Sequence, residues 1–90
     1  MKNIEIKKIR PEYNIIDIRD YEAYSKGHIF NARNIPEKVL LNNYRSYLNK
    51  TETYYIYCEL GRKSRKVCEI LSALGYDVVN MYGGYDTFKR

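Results

Sequence analysis

Apolar residues fall in short runs separated by polar turns, and the clearest run is Tyr54-Tyr55-Ile56-Tyr57. An aromatic, β-branched run of this length is the pattern of a buried strand. After a short loop, Cys58 to Lys63, apolar residues recur at Val67, Ile70, Leu71 and Leu74, a spacing that predicts one face of a helix. Gly75 follows, where a helix commonly ends on a left-handed residue. Asn14 to Arg19 is a compact β-branched run and predicts a central strand. Asp77 to Met81 predicts another strand, and weak alternation over Ile4 to Lys7 predicts a short edge strand before Pro11 breaks the run. Asp20 has the character of an N-cap for a short helix over Tyr21 to Ser25, ended by Gly27. Ile35 must be extended because it precedes Pro36, so a short strand is expected near Ala32 to Ile35. Pro36 and Glu37 open a helix reaching Leu41 or Tyr44, with one more turn around Arg45 to Leu48. Gly83-Gly84 makes a turn, and Tyr85 to Arg90 begins a last helix. Strands alternating with helices give an α/β fold: a small, mostly parallel sheet of about five strands with helices on both faces.

Ninety residues make one domain, residues 1–90, with no room for a second. No apolar run approaches the roughly 20 residues of a membrane helix, and the start lacks a signal-peptide core, so a cytoplasmic location is the expectation. Cys58 and Cys68 are ten residues apart, mostly along one helix, which at about 1.5 Å per residue places them about 15 Å apart. A disulfide needs Cα atoms within about 7 Å, so they should not bridge. Cys68 adjoins the apolar stripe and reads as core packing. One histidine and two distant cysteines are too few ligands for a zinc site. The net charge of +5 suits an anionic ligand or an acidic protein partner. Eleven tyrosines could stack on bases, yet most sit at core-like positions and no nucleic-acid motif appears, so nucleic acid is not the expected partner.

The chemistry concentrates where the strand gives way to the helix. Cys58 sits at a strand's C-terminal end, facing a helix N-terminus, which is where open α/β sheets form ligand sites. The first N–H groups of a helix lack partners within it and attract anions, so they would stabilise a thiolate. Arg62, Lys63, Arg65 and Lys66 put four cations in five residues at a helix start, where the first turn prefers acids. A local rule broken at such a place suggests function. Gly61 would let the loop turn its N–H groups inward as an anion-binding nest. Two plainer readings stand beside this one: Cys58 as a small buried hydrophobe, and the basic run as a solvated helix face.

Several segments together resemble the rhodanese-like sulfurtransferase domains. Ile15-Ile16-Asp17-Ile18-Arg19 resembles the early strand motif of that family. Glu22 with Tyr24-Ser25-Lys26-Gly27-His28-Ile29 resembles the segment ending in Gly-His-Ile, and Asn31-Ala32-Arg33-Asn34-Ile35-Pro36 resembles Gly-Ala-x-Asn-Ile-Pro. Tyr57-Cys58-x-x-Gly61-x-x-Ser64 resembles the active-site loop, and Leu74-Gly75-Tyr76 and Gly83-Gly84 fall at the late turns. The resemblance spans nearly the whole chain. It implies that Cys58 is a nucleophile that takes the outer sulfur of a donor such as thiosulfate as a persulfide and passes it to a thiol or other nucleophile, with no cofactor. Glu59, Leu60, Gly61, Arg62, Lys63 and Ser64 would form the substrate-binding loop, its N–H groups stabilising the sulfur anion and Arg62 or Lys63 binding the anionic donor. Asp17 and Arg19 read as structural, Asp17 fixing neighbouring backbone and Arg19 pairing with it or lining the mouth. His28 reads as bonded to nearby backbone, since a thiolate already formed needs no general base.

Two departures from the family pattern are expected to matter. Glu59 follows the cysteine directly; pointing inward it would oppose the thiolate and repel thiosulfate, and pointing outward it would be harmless. Phe88 stands where the family commonly has a tryptophan, in a short last helix, so the chain is either an excised domain or a minimal stand-alone version. A tyrosine-phosphatase loop wants arginine six residues after the cysteine; that position is Ser64, and Arg65 comes one too late. The serious alternative to a stand-alone enzyme is a sulfur-carrier or interaction module, loaded on Cys58 by a partner enzyme and docked through its basic face. A redox-sensing role for Cys58 lacks a resolving cysteine within reach.

Overall fold

A computed structural model describes residues 2–90. Five parallel strands form one sheet: β1 (Lys2–Glu5), β2 (Asn14–Asp17), β3 (Arg33–Asn34), β4 (Thr53–Tyr57) and β5 (Asp77–Tyr82), in spatial order β1-β5-β4-β2-β3. Helices α1 (Tyr21–Lys26), α2 (Glu37–Tyr47), α3 (Arg62–Ala73) and α4 (Gly84–Phe88) connect or follow the strands. The predicted α/β class, strand number and parallel sense all hold.

The side chains of β4 alternate across the sheet and so divide the core in two. Tyr54, Ile56 and Cys58 join Leu40 of α2 and Val67, Cys68 and Leu71 of α3 on one face. Tyr57 joins Ile15 and Met81 on the other, with Tyr24 of α1 and Tyr85 and Phe88 of α4 packed against them. Phe88 thus serves as an apolar cover for the second face.

Several details differ from the expectation. The edge strand lies two residues earlier than Ile4 to Lys7, because a 3-10 turn at Ile6–Lys8 swings Ile6 fully into the second cluster. The buried stripe of α3 is Ser64, Val67, Cys68 and Leu71, whereas Ile70 and Leu74 are 47% and 41% exposed. The stripe is rotated towards Ser64 because the start of the helix packs over polar groups rather than over the apolar sheet. The helix after Pro36 both stops and continues: Asn43 leaves helical geometry (φ −139°, ψ 27°), its side chain donates to the Val39 carbonyl at 2.9 Å, and the chain resumes to Tyr47. Asp20 caps α1 as expected, accepting from Ala23 N–H at 2.8 Å. Gly75 is left-handed (φ 95°) after α3.

Topology places the site. From β2 the chain moves outward to β3, and from β4 it moves the other way, to β5. The C-terminal ends of β2 and β4 therefore flank the switch point of the sheet, where a crevice opens. No helix among the described residues is long and apolar enough to cross a membrane.

Candidate active site

A cleft of about 480 Å³ opens at this switch point, lined by Ile18, Arg19 and Asp20 after β2 and by Cys58, Glu59 and Leu60 after β4. Ala23 of α1, Pro36, Glu37 and Lys38 at the start of α2, and Arg62 and Lys63 of α3 complete its wall. Cys58 is 4% exposed. Its Sγ accepts from Gly61 N–H at 3.1 Å and from Ser64 N–H at 3.3 Å, and the thiol donates to Ser64 Oγ at 3.3 Å. Gly61 adopts φ 94°, which a side chain would resist, and this turns its N–H back onto the sulfur.

The carbonyls of the loop are held from the opposite side. Tyr85 N–H donates to the Cys58 carbonyl at 2.9 Å, and Asp86 N–H donates to the Glu59 carbonyl at 3.0 Å. The first turn of α4 thus takes the carbonyls, leaving the N–H side of the loop for the sulfur. Gly84 makes this contact feasible: a Cβ there would lie 2.3 Å from the Glu59 carbonyl oxygen, and its φ is 68°.

Arg19 ties three segments together. Its Nε donates to both oxygens of Asp17 at 3.1 Å, its Nη2 donates to Asp17 Oδ2 and to the Gly27 carbonyl at 2.7 Å, and its Nη1 donates to Glu59 Oε1 at 3.0 Å. The guanidinium lies 4.3 Å from the Tyr85 ring centre. Burial opposes its charge, but the hydrogen bonds and charge of Asp17, with the bond to Glu59, outweigh that and hold it protonated. Glu59 is therefore turned towards Arg19, which shares its one positive charge between Asp17 and Glu59. Both readings of Arg19 hold: it pairs with Asp17, and it lines the mouth. His28 is exposed, stacks on Tyr24, and has Nδ1 2.8 Å from the Tyr24 carbonyl, as the backbone-bonded reading expects.

Residues 2–90 match the model of the family described as Rhodanese-like domain. The chain belongs to the rhodanese-like family. Escherichia coli thiosulfate sulfurtransferase PspE is 39% identical over 70 residues, covering 77% of this chain and 67% of that protein. A crystal structure from Staphylococcus saprophyticus superposes with a TM-score of 0.90 at 33% identity, covering 98% of this chain and 93% of that one. A rhodanese-like domain protein from Staphylococcus aureus superposes with a TM-score of 0.85 at 38% identity, covering 98% and 91%. A probable molybdopterin-synthase adenylyltransferase from Pyropia yezoensis is 30% identical over 89% of this chain, but the chain spans only 21% of that protein's length.

Within this rhodanese-like domain, the six loop residues Glu59 to Ser64 take different places around Cys58. Gly61 and Ser64 bond the sulfur, Arg62 and Lys63 stand on the rim, Leu60 is 58% exposed at the mouth, and Glu59 turns aside to Arg19. Arg65, one place beyond a phosphatase arginine, is exposed. Cys68 is fully buried, and burial, with a smaller effect from Cys58, pushes its thiol up to about 12. Two residues escaped the sequence reading. Asn80, 1% exposed on β5, accepts from Ser64 Oγ at 2.7 Å; a polar residue between Val79 and Met81 in a core strand was the available signal. Gly84 carries the contact of α4 with the Cys58 loop, and its sequence signal read only as a turn.

Proposed function

We propose that this domain is a sulfurtransferase whose nucleophile is Cys58. The observation that supports this best is the sulfur itself, at the wall of a switch-point cleft with two backbone N–H groups aimed at it. Those fixed dipoles need no reorganisation when the sulfur becomes anionic. The thiolate attacks the outer sulfur of thiosulfate, the bond between the two donor sulfurs breaks, and sulfite leaves with the electron pair. Cys58 then carries a persulfide, whose terminal sulfur an acceptor thiolate attacks, releasing the Cys58 thiolate and an acceptor persulfide. Arg62 and Lys63 draw in the anionic donor, and no ion pair engages them among the described residues. Arg19 keeps Glu59 from opposing it.

A second reading rests on the mouth. Leu60 is exposed beside Ala23, Pro36 and the rim cations, a combination that suits a protein surface as well as a small anion. In that reading the domain is a carrier loaded by a partner enzyme, and the similarity to a segment of the much longer Pyropia yezoensis protein supports it. Steady-state turnover with thiosulfate and a small thiol separates the two. A stand-alone enzyme turns over with this pair, and Cys58→Ser loses at least about a thousandfold of that activity. Absent turnover in a folded protein leaves the carrier reading alone.

A further inference from the structure

Behind Cys58 runs a chain of three neutral side chains. The thiol donates to Ser64 Oγ at 3.3 Å, Ser64 Oγ donates to Asn80 Oδ1 at 2.7 Å, and Asn80 Nδ2 donates to Asn3 Oδ1 at 3.3 Å. Ser64 and Asn80 are buried, while Asn3 is exposed on the edge strand in register with Asn80. Every donor in this chain points away from the sulfur. That direction suits a thiol and is wrong for an anion, because the oxygen lone pairs of Ser64 then face the negative charge.

The direction is reversible. The terminal torsion of an asparagine side chain is broad and roughly two-fold, so turning the amide over exchanges its oxygen and NH₂ with little change in shape. With both amides turned, Asn3 donates to Asn80, Asn80 donates to Ser64 Oγ, and the Ser64 hydroxyl donates to the sulfur. We infer that Asn80 is a positioning residue for Cys58, and that the Asn3–Asn80–Ser64 chain reverses when the sulfur becomes anionic, adding a third donor to the N–H groups of Gly61 and Ser64. The thiol proton leaves to solvent; no atom transfers along the chain. Asn80 explains its own burial in this way, since a lone amide in a core strand is costly unless each end is used.

The inference rests on Cys58 being the reacting group, but its test reads the anion and not sulfur transfer. The charges already around Cys58 are the same in every variant, Glu59 with Arg19, Arg62 and Lys63 on the loop side and Asp20, Glu37 and Lys38 across the cleft, and only Asn3→Asp adds a new one. Behind it, Cys68 is kept neutral by burial. The experiment is the rate of alkylation of Cys58 by iodoacetamide, a neutral reagent, against pH at about 0.5 M salt, where distant surface charges are screened. The modified peptide identifies Cys58, and circular dichroism establishes folding.

Removing the last donor with Ser64→Ala moves the midpoint of the profile up by about one pH unit, the scale of one hydrogen bond to a charged group. Asn80→Leu moves it up by less, because the hydroxyl still reaches the sulfur but loses the donor that polarises it. If Asn80 instead only held the hydroxyl away, Asn80→Leu would free it and the midpoint would fall, which overturns the inference. Asn3→Asp lies on the surface and tests the same point without disturbing the core. Its carboxylate only accepts, so it pins Asn80 Nδ2 outward and moves the midpoint up by about half a unit, a shift that is the same at about 0.5 M and about 1 M salt, whereas repulsion by the new charge alone would fade with salt and overturn the inference. An unchanged Asn3→Asp profile also overturns the inference. A wild type that alkylates as described but gains no sulfur from thiosulfate refutes the proposed function and leaves the relay standing.

Discussion

Cys58 and Cys68 belong to the same hydrophobic cluster and are almost equally buried, at 4% and 0% exposure, yet their surroundings could hardly differ more. Around Cys58 the backbone turns two N–H groups onto the sulfur, and the thiol donates to the Ser64 hydroxyl, at the edge of a cleft. Cys68, in the middle of α3, faces only apolar core, and desolvation holds it as a neutral thiol. The lesson is that burial alone makes a cysteine inert, whereas burial among fixed dipoles prepares it for charge. The fold achieves the second arrangement by ending a strand where a glycine can invert the loop and a second helix can take the loop carbonyls.

The largest effect expected from this contrast is on turnover. Cys58→Ser removes at least about a thousandfold of thiosulfate–thiol activity, whereas Cys68→Ala stays within about twofold of wild type at a temperature where both fold. Comparable losses from the two variants would erase the distinction. Next comes the clamp that compensates Glu59. Arg19→Met leaves Asp17, fully buried, with its charge uncompensated, and should cost about 3–5 kcal/mol in urea unfolding. A loss below about 1 kcal/mol would show that the clamp does not hold the site together.

Gly84→Ala tests the support from α4. The new Cβ collides with the Glu59 carbonyl, so loop and helix must part, at an expected cost of about 1–3 kcal/mol. Loading of Cys58 should slow more than the stability loss accounts for, while reactivity of Cys68 in the folded protein stays nil. A Gly84→Ala protein with wild-type loading kinetics would mean that α4 does not shape the loop.

A pH-dependent effect, negligible at neutral pH, distinguishes Cys68. Its folded thiol is pushed up to about 12, while an unfolded thiol titrates near 8.5. A raised folded value contributes stability that is fully present below about pH 8.5 and is lost as pH rises towards 12, because only the unfolded chain ionises in that window. Wild type should therefore lose up to about 1.4 kcal/mol per pH unit relative to Cys68→Ala between roughly pH 9 and 11. Parallel stability curves would show that Cys68 is not the desolvated partner in the comparison. The smallest effect is at Glu59→Gln, which should speed loading by thiosulfate about two- to threefold at low salt and leave it unchanged at about 0.5 M, since the carboxylate is half-exposed and shares Arg19 with Asp17.

Much of this was legible from local pattern. The run at Tyr54–Tyr57, the left-handed Gly75 and the Asp20 cap each depend on a few adjacent residues, and each formed as expected. Cys58, Gly61 and Ser64 lie within seven residues, so their convergence on one sulfur could be anticipated from a strand–loop–helix turn. Long-range pairings were not legible. Glu59 meets Arg19 across 40 residues, and Ser64 meets Asn80 across 16. On α3, Val67, Cys68 and Leu71 are buried as read from the sequence, but Ile70 and Leu74 are not, because which positions reach the core is set by strands distant in sequence. Gly84 looked like a turn because the carbonyl it must avoid lies 25 residues earlier.

The role proposed for Cys58 is to take the outer sulfur of thiosulfate and hold it as an anion among these polar groups. The most direct test is the intact mass of the reduced, folded protein after exposure to thiosulfate, read alongside Cys58→Ser and Cys68→Ala. A gain of one sulfur atom in wild type and Cys68→Ala, reversed by reductant and absent in Cys58→Ser, is the expected result. A gain that persists in Cys58→Ser, or none in folded wild type, would contradict it.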